Sequence, residues 1–290
     1  MTQAEIQFLQ YLESMRTDFS VKLFEGITMI GEETILILLV GILYFAYDKD
    51  LAKRIGYITI TSMCLNNVVK NLVKRPRPFA SGAVNPARAH TATGYSFPSG
   101  HTQTIATWST AFAVLLKKAW VSVLAGIAIA AVAFSRLFLG VHYPSDVIVG
   151  AVLGVVISIG LSVVYDRTED MRKLYRDTCL LLLPFAVLFM IKADPLYNDF
   201  YKLYGMLVGL YFATIIEEKY ALLTYDVVWW KKALRVVSGL AVLLAIKEGV
   251  KLLDVFRILH ISLILDTIRY MLLVIAGFGV CPILFKKINL

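Results

Sequence analysis

Cysteine, histidine and charge are all scarce in this chain, and each scarcity removes a class of protein. The three cysteines, Cys64, Cys179 and Cys281, lie far apart, each inside an apolar run. That spacing excludes both a disulfide framework and a thiolate metal site. No His/Cys spacing suits zinc, and the carboxylates never cluster as a two-metal site requires. No metal or other cofactor is expected. The chain has no internal repeat, no low-complexity tract and no polar stretch long enough for a soluble domain. Its first 26 residues carry acids early and lack a basic start followed by an apolar core, so no cleavable signal peptide is expected. No basic segment is interleaved with stacking aromatics on a polar background, which excludes nucleic acid as a partner despite a formal charge of +8.

Apolar residues are abundant: 58% of 290 residues are hydrophobic, and the mean hydropathy is +0.71. Runs near the ~20 residues that span a bilayer recur along the whole length. The pattern predicts an all-α, polytopic transmembrane helix bundle of about nine spans. Residues 1–26 carry Ile6, Leu9, Leu12, Met15, Phe19 and Leu23 at three- and four-residue steps, with Glu5, Glu13, Asp18 and Glu25 between them. That spacing predicts an amphipathic helix lying at the membrane surface. Residues 27–165 then read as a five-helix core with spans near 27–47, 55–73, 98–116, 119–139 and 145–165. Glu32 and Glu33 fall near the start of the first span, at an interface. A charged run at 166–177 closes the core. Residues 178–290 form an accessory segment with spans near 178–191, 200–216, 233–250 and 261–285, two of them interrupted by Pro184 and Pro282.

Lys and Arg set the orientation. Alternate connections, ending with the carboxyl terminus, carry 15 basic residues against 14 on the opposite side. Six of those 14 (Lys70, Lys74, Arg75, Arg77, Arg88 and Arg136) lie in or beside the polar clusters described next, which leaves 15 against 8. The carboxyl terminus is therefore expected in the cytoplasm, with the amino-terminal helix and the polar clusters facing outward.

Between Lys70 and Asp146, polar residues recur where apolar helices do not require them. Six residues separate Lys70 from Arg77-Pro78. Pro98-Ser99-Gly100-His101 follows. Ser135-Arg136 comes next, separated by five residues from His142, which three residues separate from Asp146. Basic residues suit an oxyanion, and a His/Asp pair beside a second His suits covalent acid–base chemistry. In order and internal spacing the three clusters resemble the motifs of the type 2 phosphatidic acid phosphatase superfamily, which includes lipid phosphate phosphatases, glucose-6-phosphatase and vanadium haloperoxidases. The resemblance covers about a quarter of the chain closely.

Phosphoryl transfer needs cations and donors around the equatorial oxygens, an in-line nucleophile and an acid for the leaving oxygen. Arg77 and Arg136 offer planar forks of donors, Lys70 a compact charge and Ser99 a hydroxyl. The amides of Gly100 and His101 open a helix, where unpaired N–H groups favour an anion. Pro98 suits the first helical position, and Gly100 admits close approach of the phosphate. His142 is the expected nucleophile, giving a phosphohistidine. Asp146 would hold its other ring nitrogen, and His101 would protonate the departing alkoxide and then activate water. The resemblance implies the same roles for these positions. Lys74, Arg75 and Arg88 read as solvated loop charges or headgroup contacts, and Ser135 as a packing residue. His90 and His260 are structural by default, and Asp254, Arg257, Asp266 and Arg269 read as helix-end charge pairs that could also line a headgroup pocket. The expected activity is a metal-independent phosphatase of a phosphorylated lipid: phosphatidate, phosphatidylglycerophosphate, a sphingoid phosphate, or a polyprenyl phosphate or pyrophosphate. The alternatives are a phosphatase of a soluble ester, as in glucose-6-phosphatase, and a lipid transporter or scaffold.

Overall fold

The structure is a computed structural model that describes residues 3–89, 92, 94–220, 223–251 and 258–290. His90, Asp254 and Arg257 lie outside the described residues. Those described form twelve α-helices and no strand: α1 Gln3–Ser14, α2 Asp18–Met29, α3 Glu33–Ile42, α4 Lys49–Val73, α5 Gly100–Leu116, α6 Ala119–Phe138, α7 Pro144–Arg167, α8 Met171–Lys192, α9 Asn198–Tyr220, α10 Trp229–Lys251, α11 Leu259–Val274 and α12 Cys281–Lys287. Among the described residues, four stretches are long and apolar enough to cross a membrane: α6, α7, α8 and the run from α11 through α12. The α2–α3 pair, bent by 46° at its break, makes a fifth if it crosses as one span. The chain is a multi-pass membrane protein.

Two compact units share the chain. One comprises residues 1–36 and 65–163 and holds every residue of the three polar clusters. Its amino-terminal segment differs from the single surface helix expected. Thr17 accepts the Ser20 amide, and Ser20 accepts the Thr17 amide in return. This reciprocal cap ends one helix and starts another. Leu9 and Leu12 on α1 are buried with Val84, Leu137, Phe138, Tyr143 and Val147. On α2, Phe24 meets Phe138 with ring centroids 4.4 Å apart. Helices α1 and α2 thus pack where α6 ends and α7 begins.

The second unit comprises residues 37–64 and 164–290. Here α8 starts earlier than the hydropathy suggests, because Asp170 caps it by accepting the Lys173 amide at 3.1 Å. Pro184 lies inside a continuous helix rather than breaking it, and Pro282 opens α12 after a π-helical turn at Ile275–Val280. Proline's missing N–H is harmless in a first turn. Asp266 and Arg269 pair one turn apart on α11, as expected of helix charge pairs. Glu217, nearly buried, takes Lys49 at 2.6 Å and Lys53 at 2.7 Å.

Helices α9 and α11 meet through Gly205 and Gly209. A β-carbon at Gly205 would lie 2.2 Å from the Thr267 carbonyl oxygen, and one at Gly209 2.7 Å from that of Met271. The contact is backbone against backbone, so neither partner can swing aside. Gly205→Ala is expected to cost about 1–3 kcal/mol by forcing the helices apart. A thermal unfolding scan in detergent reads this as a lower midpoint, and an unchanged midpoint contradicts it.

Candidate active site

The three clusters converge because each sits at a helix end. Lys70 lies in the last turn of α4, and the loop from 74 to 99 follows. Helix α5 starts at Gly100 with Ser99 as its cap. The Ser99 hydroxyl bonds Thr102 Oγ1 at 2.9 Å and accepts the Thr102 amide at 3.5 Å. Pro98 therefore precedes the cap instead of occupying the first helical position, because the Ser99 oxygen already satisfies an orphan amide of the turn. The amides of Gly100 and His101 stand at the helix start as expected.

Arg136 lies in the last turn of α6. Gly140, at φ +72°, supplies the left-handed turn that sends Val141 and His142 back toward the loop. Proline at position 144 then opens α7, and the Asp146 carboxylate accepts the Tyr143 amide at 2.8 Å. Gly150 brings α7 against the start of α5, since a β-carbon there would lie 2.7 Å from the Ser99 carbonyl oxygen. At this contact the Ser99 amide donates to the Asp146 carbonyl at 3.0 Å.

His142 is 1% exposed. Its Nδ1 lies 3.4 Å from Asp146 Oδ2, and its Nε2 lies 3.2 Å from Arg77 Nη1. Arg77 is also held by the carbonyls of Gly94 and Val141, each at 2.9 Å. Burial, with a smaller opposing effect from Asp146, lowers the Arg77 pKa to about 10, so it stays a cation at neutral pH. Burial, then the cations Arg77, Arg136 and Lys70, hold the His142 pKa well below the ordinary imidazole value, so its ring is neutral and one nitrogen keeps a lone pair as an acceptor. His101 lies within electrostatic reach of Arg136, His142, Lys70 and Arg77. Among the described residues, its Nε2 is buried without a hydrogen-bond partner.

Arg136 is 0% exposed. Its Nη1 donates to the Thr28 hydroxyl at 3.0 Å, and its Nε has no hydrogen-bond partner. The charges around it are those of Arg77, Arg88 and Glu32, and Glu32 is already held by Arg88 at 2.8 Å. Among the described residues, the buried guanidinium has no carboxylate of its own. Such a charge is costly until an anion compensates it. No three of His, Cys, Asp and Glu among the described residues converge as metal ligands would.

Several participants carried no signal that spacing could expose. Arg75 and Arg88, read as loop charges, are engaged in ion pairs. Arg75 pairs with Asp146 at 2.7 Å and with Glu5 at 2.8 Å, and its guanidinium lies 4.1 Å above the Tyr143 ring. Ser96 donates a short hydrogen bond to Asp146. Thr28 and Glu5 come from helices remote in sequence from the clusters. Ser135, as expected, bonds only its own helix, at the Val132 carbonyl.

The residues of all three clusters lie in a stretch that known proteins share. The family model described as PAP2 superfamily matches residues 51–170, and one described as PAP2 superfamily phosphatase, transmembrane extension, matches residues 201–290. The chain is 32% identical to an undecaprenyl-diphosphatase of Sulfolobus acidocaldarius, over 46% of this chain and 64% of that one. It is 44% identical to a decaprenylphosphoryl-5-phosphoribose phosphatase of Mycobacterium tuberculosis, over 30% of this chain and 46% of that one. It is 30% identical to phosphatidylglycerophosphatase B of Bacillus subtilis, over 46% of this chain and 68% of that one. The first two matches thus span only about half to two thirds of the relatives' own length. With a matching domain, a matching extension and a relative covered over two thirds of its length, the chain belongs to the PAP2 superfamily.

Proposed function

We propose that the chain is an integral-membrane phosphatase that hydrolyses a lipid phosphomonoester or pyrophosphate through a phosphohistidine. The observation that carries this reading is the buried Arg136, short of a counter-anion and within electrostatic reach of Arg77 and the neutral His142. A phosphate group supplies the missing negative charge. Arg77 would leave the ring and turn its fork to the phosphate oxygens, freeing Nε2 to attack phosphorus. The P–O bond to the leaving group breaks as His101, protonated once the bound phosphate offsets the cations around it, hands its proton to the departing oxygen. Neutral His101 then takes a proton from water, whose oxygen attacks phosphorus. The P–N bond breaks, phosphate leaves and His142 is regenerated. Asp146 stabilises the ring as positive charge develops on it. Lys70 and the amides of Gly100 and His101 hold the remaining oxygens.

The names of the three relatives support a lipid substrate, since each places phosphate on a prenyl or phosphatidyl compound. We further infer nine crossings: α4, α5, α9 and α10, of 17 to 25 residues, join the five apolar candidates. At 1.5 Å per residue they reach roughly 25–38 Å. Exposed Phe8, Tyr11, Met15 and Phe19 suit α1 and the first turn of α2 to the headgroup region. Exposed Trp120 beside Lys118, and Trp229 and Trp230 beside Lys231, suit the opposite interface. The pocket then faces outward and the carboxyl terminus the cytoplasm. Purified protein, offered prenyl pyrophosphates, phosphatidate, phosphatidylglycerophosphate and sugar phosphates, is expected to release phosphate from the lipids preferentially and without inhibition by chelator. Release from sugar phosphates alone would overturn the lipid assignment, and no release at all would overturn the reading.

A further inference from the structure

We infer that Glu5, on α1 and outside the family-matched residues 51–170, is a positioning residue for the His142–Asp146 pair, acting through Arg75. The inference rests on His142 being the nucleophile. The two oxygens of Asp146 are engaged differently. Oδ2 faces the His142 ring, the Ser96 hydroxyl and the Tyr143 amide, whereas Oδ1 takes Arg75. Arg75 Nη1 also donates to the Ser145 hydroxyl at 2.6 Å, and Nη2 donates to Glu5 Oε2 at 2.8 Å.

Glu5 has a second attachment. Its Oε1 accepts the Ser145 amide at 3.1 Å and the Ser145 hydroxyl at 2.5 Å. Burial opposes ionisation of Glu5, but these bonds and Arg75 outweigh it and keep its pKa below the ordinary carboxylate value. One carboxylate thus caps the turn that carries Asp146 and shares the guanidinium that neutralises Asp146. The other acid on that face of α1, Glu13, is spent on Asn85 at 2.7 Å.

Without the Glu5 charge, Arg75 would compensate Asp146 alone and weaken its pull on the His142 ring N–H. The groups facing that ring are Arg77 from the loop, Arg136 from α6, Lys70 from α4, His101 from α5 and Asp146 from α7. Loss of negative potential on the Asp146 side would make the ring a weaker base. Protonation would then occur at lower pH, and nitrogen would attack phosphorus more slowly.

The test measures kcat, KM and the acid limb of kcat/KM for wild type, Glu5→Gln, Glu5→Asp, Arg75→Gln and the Glu5→Gln/Arg75→Gln pair, with His142→Ala as control. Glu5→Gln is expected to lower kcat about 10-fold, leave KM within about 2-fold and move the acid limb to lower pH. Glu5→Asp should restore the limb, and the double variant should lose no more than Arg75→Gln alone. A fixed limb, effects that multiply in the double variant, or a Glu5→Gln protein that does not fold would each overturn the positioning role. Turnover that survives in His142→Ala would instead overturn the nucleophile assignment, and this inference with it.

Discussion

His142→Ala is expected to lower phosphate release at least ~10³-fold, the scale seen when one member of a concerted catalytic set is removed. The loss should fall on kcat, because the cations and amides proposed to bind phosphate remain in place. The ring is nearly inaccessible and bonds through both nitrogens, so alanine also leaves a small cavity; a thermal scan separates that stability loss from the chemical one. The pH profile provides an independent check. Burial and the surrounding cations depress the His142 pKa below the usual ~6.5. The neutral, nucleophilic ring should therefore persist as pH falls through 6.5. After correction for ionisation of the substrate itself, kcat/KM should stay level through that pH and drop only below it. Stability follows the same sign: a histidine buried neutral contributes fully above its unfolded pKa, and the contribution is lost as pH falls toward its folded one. A profile that halves at or above pH 6.5 would contradict this account, as would a variant retaining more than about one hundredth of wild-type turnover.

Arg136→Met should separate function from stability in opposite directions. The side chain is buried, its Nε has no hydrogen-bond partner among the described residues, and Glu32, the acid that acts on it, is already held by Arg88. A methionine fills comparable volume without a charge, and replacing buried ionic groups by apolar ones often stabilises by about 1–4 kcal/mol. The melting midpoint in detergent is therefore expected to rise. Turnover should fall by about 10²–10³, the usual consequence of removing one preorganised donor to developing charge. Added inorganic phosphate or orthovanadate should raise the midpoint of wild type but not of the variant, because a ligand stabilises only the state that binds it. A variant both less stable and fully active would mean that Arg136 serves packing rather than phosphate.

The polar clusters were legible because apolar helices have no use for them. Lys70, Arg77, Ser99, His101, Arg136, His142 and Asp146 stand out against spans of Leu, Ile, Val and Ala, and their spacing marks them as candidate site residues. Helix boundaries were less legible. Ser99 rather than Pro98 starts α5, and Asp170 starts α8, because a cap is set by one side-chain oxygen reaching one amide. Pro184 reads as a breaker in sequence yet sits within a continuous helix.

Composition and spacing determined the class of molecule and the kind of chemistry, since a bilayer demands long apolar helices and an oxyanion demands cations beside a nucleophile. Tertiary structure alone decided how the charges are shared. Glu5 lies 70 residues from Arg75 and 140 from Ser145, and Thr28 lies 108 from Arg136. No periodicity links such positions. Electrostatic energy depends on distance in space, and folding brings together groups that the chain keeps far apart.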